Sequence, residues 1–320
     1  MMSTISRAHF ATLAAGVIAS LPFAAAAQTR PTLRVGTLPI DNGAEVFYGI
    51  ERETFSRAGI DIDLRLMNNG GAIVAAVSSG ALDVGFSNLF SIVTAFSKGI
   101  PIEVIAPAAL YDSASPAQAL LVRKDAPFRS PKDLDGKTIA VVGIKGITQI
   151  TAAAAIDQAG GDSSSVHWIE MPDQLMGQAL VDHRIDAASA ALSDNPDAGK
   201  ASSALRILAL PYESVGKRWL ASGWFASKSW TAEHPDLART FAAAIVASGK
   251  WANANKPASG LILSKYTKLT PARVAMLAGN RALYDESRLN PAALEAVIAF
   301  SAKHDLIAKA FPPAALAANL

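Results

Sequence analysis

Between residues 68 and 88 the chain reads NNGGAIVAAVSSGALDVGFSN, and this stretch constrains the fold more than any other. A polar, glycine-rich turn leads into an almost wholly apolar segment, 72–77, whose composition suits a short helix buried on most sides. Ser78, Ser79 and Gly80 stop it, and 82–86 follows as a strand. Ser87 and Asn88 then form a second polar loop before the next apolar run. The stretch is one small α/β unit with two loops rich in backbone donors at its edge. Helix N-termini and the C-terminal ends of strands are where such units bind small ligands.

The same alternation extends on both sides. Strands are expected at 32–37, 60–67 and 102–110, with helices at 44–57 and 90–97, a βαβ-type pattern that predicts a mostly parallel sheet flanked by helices. A second cycle has strands at 119–122, 138–142, 166–171 and 185–191, and helices at 147–158 and 174–182. Strands at 206–210 and 219–226 lead back out. The rest is helical, at 235–255, 271–284 and 291–304, and the tail 311–320 is expected to fray. A length of 320 residues exceeds one compact core, so two lobes are expected.

Composition narrows the chemistry. Hydrophobic residues make up 51% of the chain and charged residues 18%, which excludes a disordered chain. Residues 1–27 read as a secretory signal peptide: a short basic start at Arg7 and His9, an apolar segment over 10–23, and small residues at 25–27 for cleavage. Without them the chain carries 28 basic and 27 acidic residues, a balance that offers no basic field for nucleic acid. Cysteine is absent, which removes disulfides, thiolate metal sites and cysteine nucleophiles.

Four segments, LPIDNGAEVFYGIERETFSRAGIDIDL, GGAIVAAVSSGALDVGFSN, DLDGKTIAVVGIKGITQITAAAAIDQAG and ALVDHRIDAASA, stand in an order and spacing that cover most of 32–250. In these segments the chain resembles the periplasmic solute-binding proteins of ABC transporters of the sulfonate, nitrate, taurine and pyrimidine-precursor type. The resemblance implies a two-lobed periplasmic-binding-protein fold with a ligand cleft between lobes, the first at 30–118 plus 216–320 and the second at 119–215. It also implies a monomeric receptor that hands a small-molecule ligand to an ABC permease in the inner membrane. With no cysteine for a lipid anchor, such a receptor is expected free in the periplasm.

Four loops are expected to meet at the cleft. Asp41 and Asn42 follow the first strand, Asn68, Asn69, Gly70 and Gly71 open the helix after the second, Ser87 and Asn88 follow the third, and Gly146, Ile147 and Thr148 open a helix of the second lobe. Free N–H groups at helix starts are donors with a partial positive end. The asparagines and Ser87 read equally well as helix caps. Asp194 adds a carboxylate, and Tyr111 and Trp224 add rings. Ile147 stands where the anion binders of the resembling family present a hydroxyl. Lys145 is the one cation in these loops, and no arginine stands there. This favours a neutral or nitrogen-bearing organic ligand over a small inorganic anion.

No histidine pair, nucleophile elbow or phosphate loop is present, so neither catalysis, a cofactor nor a metal is expected. A pyrimidine-precursor synthase-like enzyme and a ligand sensor for a membrane kinase are the alternatives.

Overall fold

The computed structural model describes residues 30–192, 195, 203–267, 269–270, 274 and 288–320, together with Met1. Apart from Met1, the expected signal peptide lies outside the described residues. So do Asp194 and, Val274 apart, the helix expected at 271–284.

Among the described residues there are twelve strands: β1 (Thr32–Thr37), β2 (Asp61–Leu66), β3 (Val84–Asn88), β4 (Ile102–Pro107), β5 (Leu110–Asp112), β6 (Gln118–Arg123), β7 (Thr138–Val141), β8 (His167–Glu170), β9 (Ala187–Ala191), β10 (Leu205–Ala209), β11 (Arg218–Leu220) and β12 (Ser222–Ser227). The first sheet has the order β2-β1-β3-β12-β4 and the second β10-β6-β9-β7-β8. In the first, β1 runs parallel to β2 and β3 while β12 is antiparallel to both β3 and β4. In the second, β7 is parallel to β8 and β9 while β6 is antiparallel to β9 and β10. Each sheet therefore runs one way except for one reversed strand.

Alternation along the strands places apolar side chains on both faces of the first sheet. On one face α3 (Gly70–Ser78) and α4 (Leu89–Ser97) bury Ile73, Val77, Phe90 and Ile92, joined by Val297 and Phe300 of a later helix. On the other, α1 (Glu45–Glu51), α2 (Thr54–Arg57) and, after the short α7 (Lys228–Glu233), the long α8 (Pro235–Ala254) enclose Phe47, Tyr48, Phe55 and Phe241. The second sheet is covered by α5 (Ile147–Gln158) and α6 (Asp173–Val181), with Ile156 on one face and Met176 and Leu180 on the other.

Three expectations are corrected here. The helix expected over 44–57 breaks at Glu53, which adopts a left-handed φ of 58°. The strand expected over 219–226 is two: β11 leaves to pair with β5, opposing Trp219 to Tyr111, before β12 enters the first sheet. The tail does not fray. Leu316 is buried, Val104 N donates to Leu316 O at 2.8 Å, and Ala318 N donates to Val104 O at 2.9 Å, which covers the outer edge of β4.

One ion pair fixes how β1 and β3 start. Asp83 accepts from Arg34 N at 2.7 Å, Arg34 Nε at 3.1 Å and an Arg34 terminal nitrogen at 2.6 Å. Asp83→Ala removes the acceptor of all three bonds while leaving Arg34 half-exposed to water, and is expected to cost about 1 kcal/mol of stability, read by chemical denaturation. A midpoint unchanged by the substitution contradicts that role.

Candidate functional site

At the ends of β1 and β3 the sequence builds an edge of tight loops. Thr37 is wholly buried and donates its hydroxyl to Gly43 O at 3.2 Å. A Cβ on Gly43 would stand 2.7 Å from that hydroxyl and 2.9 Å from the Phe86 ring, so only glycine lets the loop lie this close. The loop thereby holds Asp41 and Asn42 against the sheet. Tyr48 Oη donates to Asp41 Oδ1 at 3.3 Å. Ser222 Oγ accepts from Ala109 N at 3.0 Å and donates to Asn42 O at 3.5 Å, which ties the loop to the start of β12.

Two helices begin at the same edge. Asn69 caps α3 by accepting from Ala72 N at 2.7 Å, and Asn88 caps α4 by accepting from Ser91 N at 3.0 Å. Asn88 faces Ser222 in the β3–β12 register. Both asparagine oxygens are thus caps, the structural alternative that the sequence left open. Gly70 packs directly on β3: a Cβ there would stand 2.3 Å from Ser87 Oγ. Gly71 is open, with only Asn69 Oδ1 near at 3.5 Å, and Asn68 is exposed.

Ser87 is the distinctive residue of this edge. It is 0% exposed, and its hydroxyl has no hydrogen-bond partner among the described residues. It lies against the first residue of α3, whose leading N–H groups carry the positive end of the helix dipole. A buried hydroxyl without a partner costs stability, so a partner supplied from outside is the natural way to satisfy it.

On the second sheet, Gly146 precedes α5 and turns tightly, with Gly146 N donating to Gly143 O at 3.1 Å. Ile144 N donates to Glu170 Oε2 at 3.3 Å and Lys145 N to Gln149 Oε1 at 2.5 Å, while Lys145 itself is exposed. Thr148 is buried and accepts from Val142 N at 3.3 Å. Ile147 is half-buried and packs, with Ile150, against the cluster of the first sheet that contains Tyr111 and Trp219. This contact links α5 to the other sheet.

Tyr111 sits where the chain crosses between sheets. Its ring lies 5.4 Å from Tyr212 and 5.8 Å from Trp219, and its hydroxyl is buried without a partner among the described residues. Burial, then the charges of Glu213 and Asp112, push its hydroxyl up to about 12, so it stays protonated and able to donate.

Trp224 is placed differently from the expectation. It is 0% exposed in the middle of β12, with Phe86 at 5.4 Å and Phe241 at 5.6 Å, and it belongs to the core. The register puts it on the face that α8 covers. Asp41, Asn42, Asn69, Gly70, Ser87 and Asn88 are brought together, whereas Gly146–Thr148 stand on the second sheet. Thr37 and Ser222 support the first edge and were missed. Their signal was a hydroxyl residue at the end of one apolar strand and at the start of another.

A family model described as NMT1/THI5 like matches residues 41–258. The formylaminopyrimidine-binding protein of Halalkalibacterium halodurans is 28% identical over 142 residues, covering 44% of this chain and 41% of that protein. The taurine-binding periplasmic protein of Escherichia coli is 28% identical over 196 residues, 59% of this chain and 57% of that one. The chain spans about half the length of these curated relatives. Among solved structures, the periplasmic aliphatic sulphonate binding protein SsuA of Escherichia coli superposes with a TM-score of 0.72 at 14% identity, covering 90% of this chain and 92% of that one. The desulfurization enzyme DSZB reaches 0.62 at 16% identity, covering 90% and 96%. The fold is that of the periplasmic binding proteins.

Proposed function

The chain belongs to the NMT1/THI5-like family, and from that premise we propose that it is a solute-binding receptor that captures a small organic ligand and delivers it to an ABC importer. Its two sheets are the cores of two lobes, 30–118 with 216–320 and 119–215, which close on the ligand. Binding shifts the population from open to closed, and the closed form docks on the permease. The receptor acts as a monomer in the periplasm, exported by a cleaved signal.

The observation that carries this reading is the buried, unpartnered Ser87 hydroxyl set against Gly70 at the start of α3. It supports a polar ligand group seated at the end of β3. The ligand is neutral or nitrogen-bearing rather than a small inorganic anion, because Lys145 is the single cation in the four loops and it is exposed. A doubly charged oxyanion there would depend on helix dipoles alone.

Ser87→Ala is expected to weaken binding about tenfold, the worth of one buried hydrogen bond, with the melting temperature of the free protein unchanged or raised. Calorimetric titration with taurine and with a formylaminopyrimidine checks this. Equal affinity for both chains contradicts the placement. The likeness to DSZB is one of fold alone, and the receptor is expected to return its ligand chemically unchanged.

A further inference from the structure

The second sheet holds a pair of polar side chains that the site above does not use. Gln118 opens β6 and is 7% exposed, and its Nε2 has no hydrogen-bond partner among the described residues. Ser189, on β9, is 0% exposed, and its hydroxyl also has none. The antiparallel register opposes Gln118 to Ala191 and Leu120 to Ser189. Side chains alternate along strands, so Gln118, Leu120 and Ser189 share one face. That face is the one covered by α5, since Leu120 and Ala187 cluster with Ile156. The two orphans are therefore neighbours near the edge where β9 ends and β6 begins, beneath α5.

Polar groups on the elements bordering this end of the sheet have hydrogen bonds of their own. Thr151 donates its hydroxyl to Ile147 O at 2.8 Å, and Thr148 accepts from Val142 N. Asp173 accepts from Ala191 N at 2.9 Å, so a carboxylate flanks the strand end opposite Gln118. Glu170 brings a second carboxylate to the loop before α5. A primary amide nitrogen can only donate, and a serine hydroxyl can donate or accept. The orphans thus call for an oxygen acceptor, which a neutral carbonyl supplies.

We propose that Gln118 and Ser189 form a second ligand-recognition point, on the second lobe, which holds the carbonyl oxygen of an uncharged, nitrogen-bearing group such as a formamide, carboxamide or lactam. This rests on the receptor reading and adds the class of ligand. Lobe closure brings the carbonyl to this pair while the Ser87 edge holds another part of the molecule.

The test uses Gln118→Leu and Ser189→Ala, with two readouts. The first is the melting temperature of the free protein. Groups kept unsatisfied for a ligand cost stability, so both variants are expected to melt at the same temperature or about 2 °C higher. A fall of more than about 5 °C in both assigns the pair to the scaffold and overturns the proposal. The second readout is calorimetric titration. The unsubstituted protein is expected to bind a formylaminopyrimidine at least tenfold more tightly than taurine, which has no carbonyl, and each variant is expected to lose at least tenfold for the formylaminopyrimidine. Undiminished affinity in both variants overturns the proposal and leaves the receptor reading standing, and preference for taurine overturns the carbonyl assignment. Binding of neither compound counts against the receptor reading, and the melting temperatures then decide alone whether the pair is structural.

Discussion

Gly70→Val is expected to reduce ligand affinity about a hundredfold in a protein that still folds. A Cβ at this position would lie 2.3 Å from Ser87 Oγ and 3.4 Å from Ser87 Cβ. Ser87 is held in β3, where β12 pairs it with Gly223 and β1 pairs with Val84 and Gly85 just before it, so its short side chain cannot swing far. Either the hydroxyl turns away from the edge or α3 retreats, taking its leading N–H groups with it. A displacement of about 1 Å in positioning groups can cost roughly a hundredfold. Overpacking itself costs about 1–3 kcal/mol, which a domain of this size survives. Titration calorimetry beside a thermal melt separates the two effects. An affinity within threefold of the unsubstituted chain would place the ligand elsewhere.

Trp224→Ala is expected to lose stability rather than affinity. The indole is fully enclosed between Phe86 and Phe241, and its removal leaves a cavity under α8. Large-to-small changes of this kind cost about 3–5 kcal/mol, although Nε1, which has no hydrogen-bond partner among the described residues, removes some of that loss. Denaturant midpoints measure it, and the folded fraction is expected to bind ligand as before. A tenfold loss of affinity with an unmoved midpoint would return Trp224 to the site.

Trp224 also shows where sequence reasoning stops. Alternation along the strand places Trp224 on the face opposite Phe225, and the two side chains enter different cores. Which face then met a helix depended on α8, whose partner is set by a return of the chain over more than a hundred residues. Local pattern carries no such information. The break at Ala221, which sends β11 to β5 and β12 to the first sheet, was hidden for the same reason. Both strands are apolar, and only their partners distinguish them.

Elements whose causes are local were readable. The helix at 147–158 begins after Gly146 and ends before Gly160, whose φ of +83° suits glycine, and both bounds agree with expectation. The split of 44–57 was not visible, because Glu53 adopts its left-handed conformation without the glycine or asparagine that usually announces it. In the site, Asn69 and Asn88 were found as polar residues at loop ends, but capping and ligand contact share one sequence signature. The orphaned state of Ser87 is a property of its surroundings in three dimensions, and no spacing rule reports it.

Calorimetric titration of the purified protein with a formylaminopyrimidine and with taurine, followed by chemical analysis of the recovered ligand, separates capture of a solute from its chemical conversion. Saturable binding of one molecule per chain, tighter for the formylaminopyrimidine, with the compound recovered unchanged, is the expected result. A reaction product in the recovered material, or no binding of either compound, would contradict it.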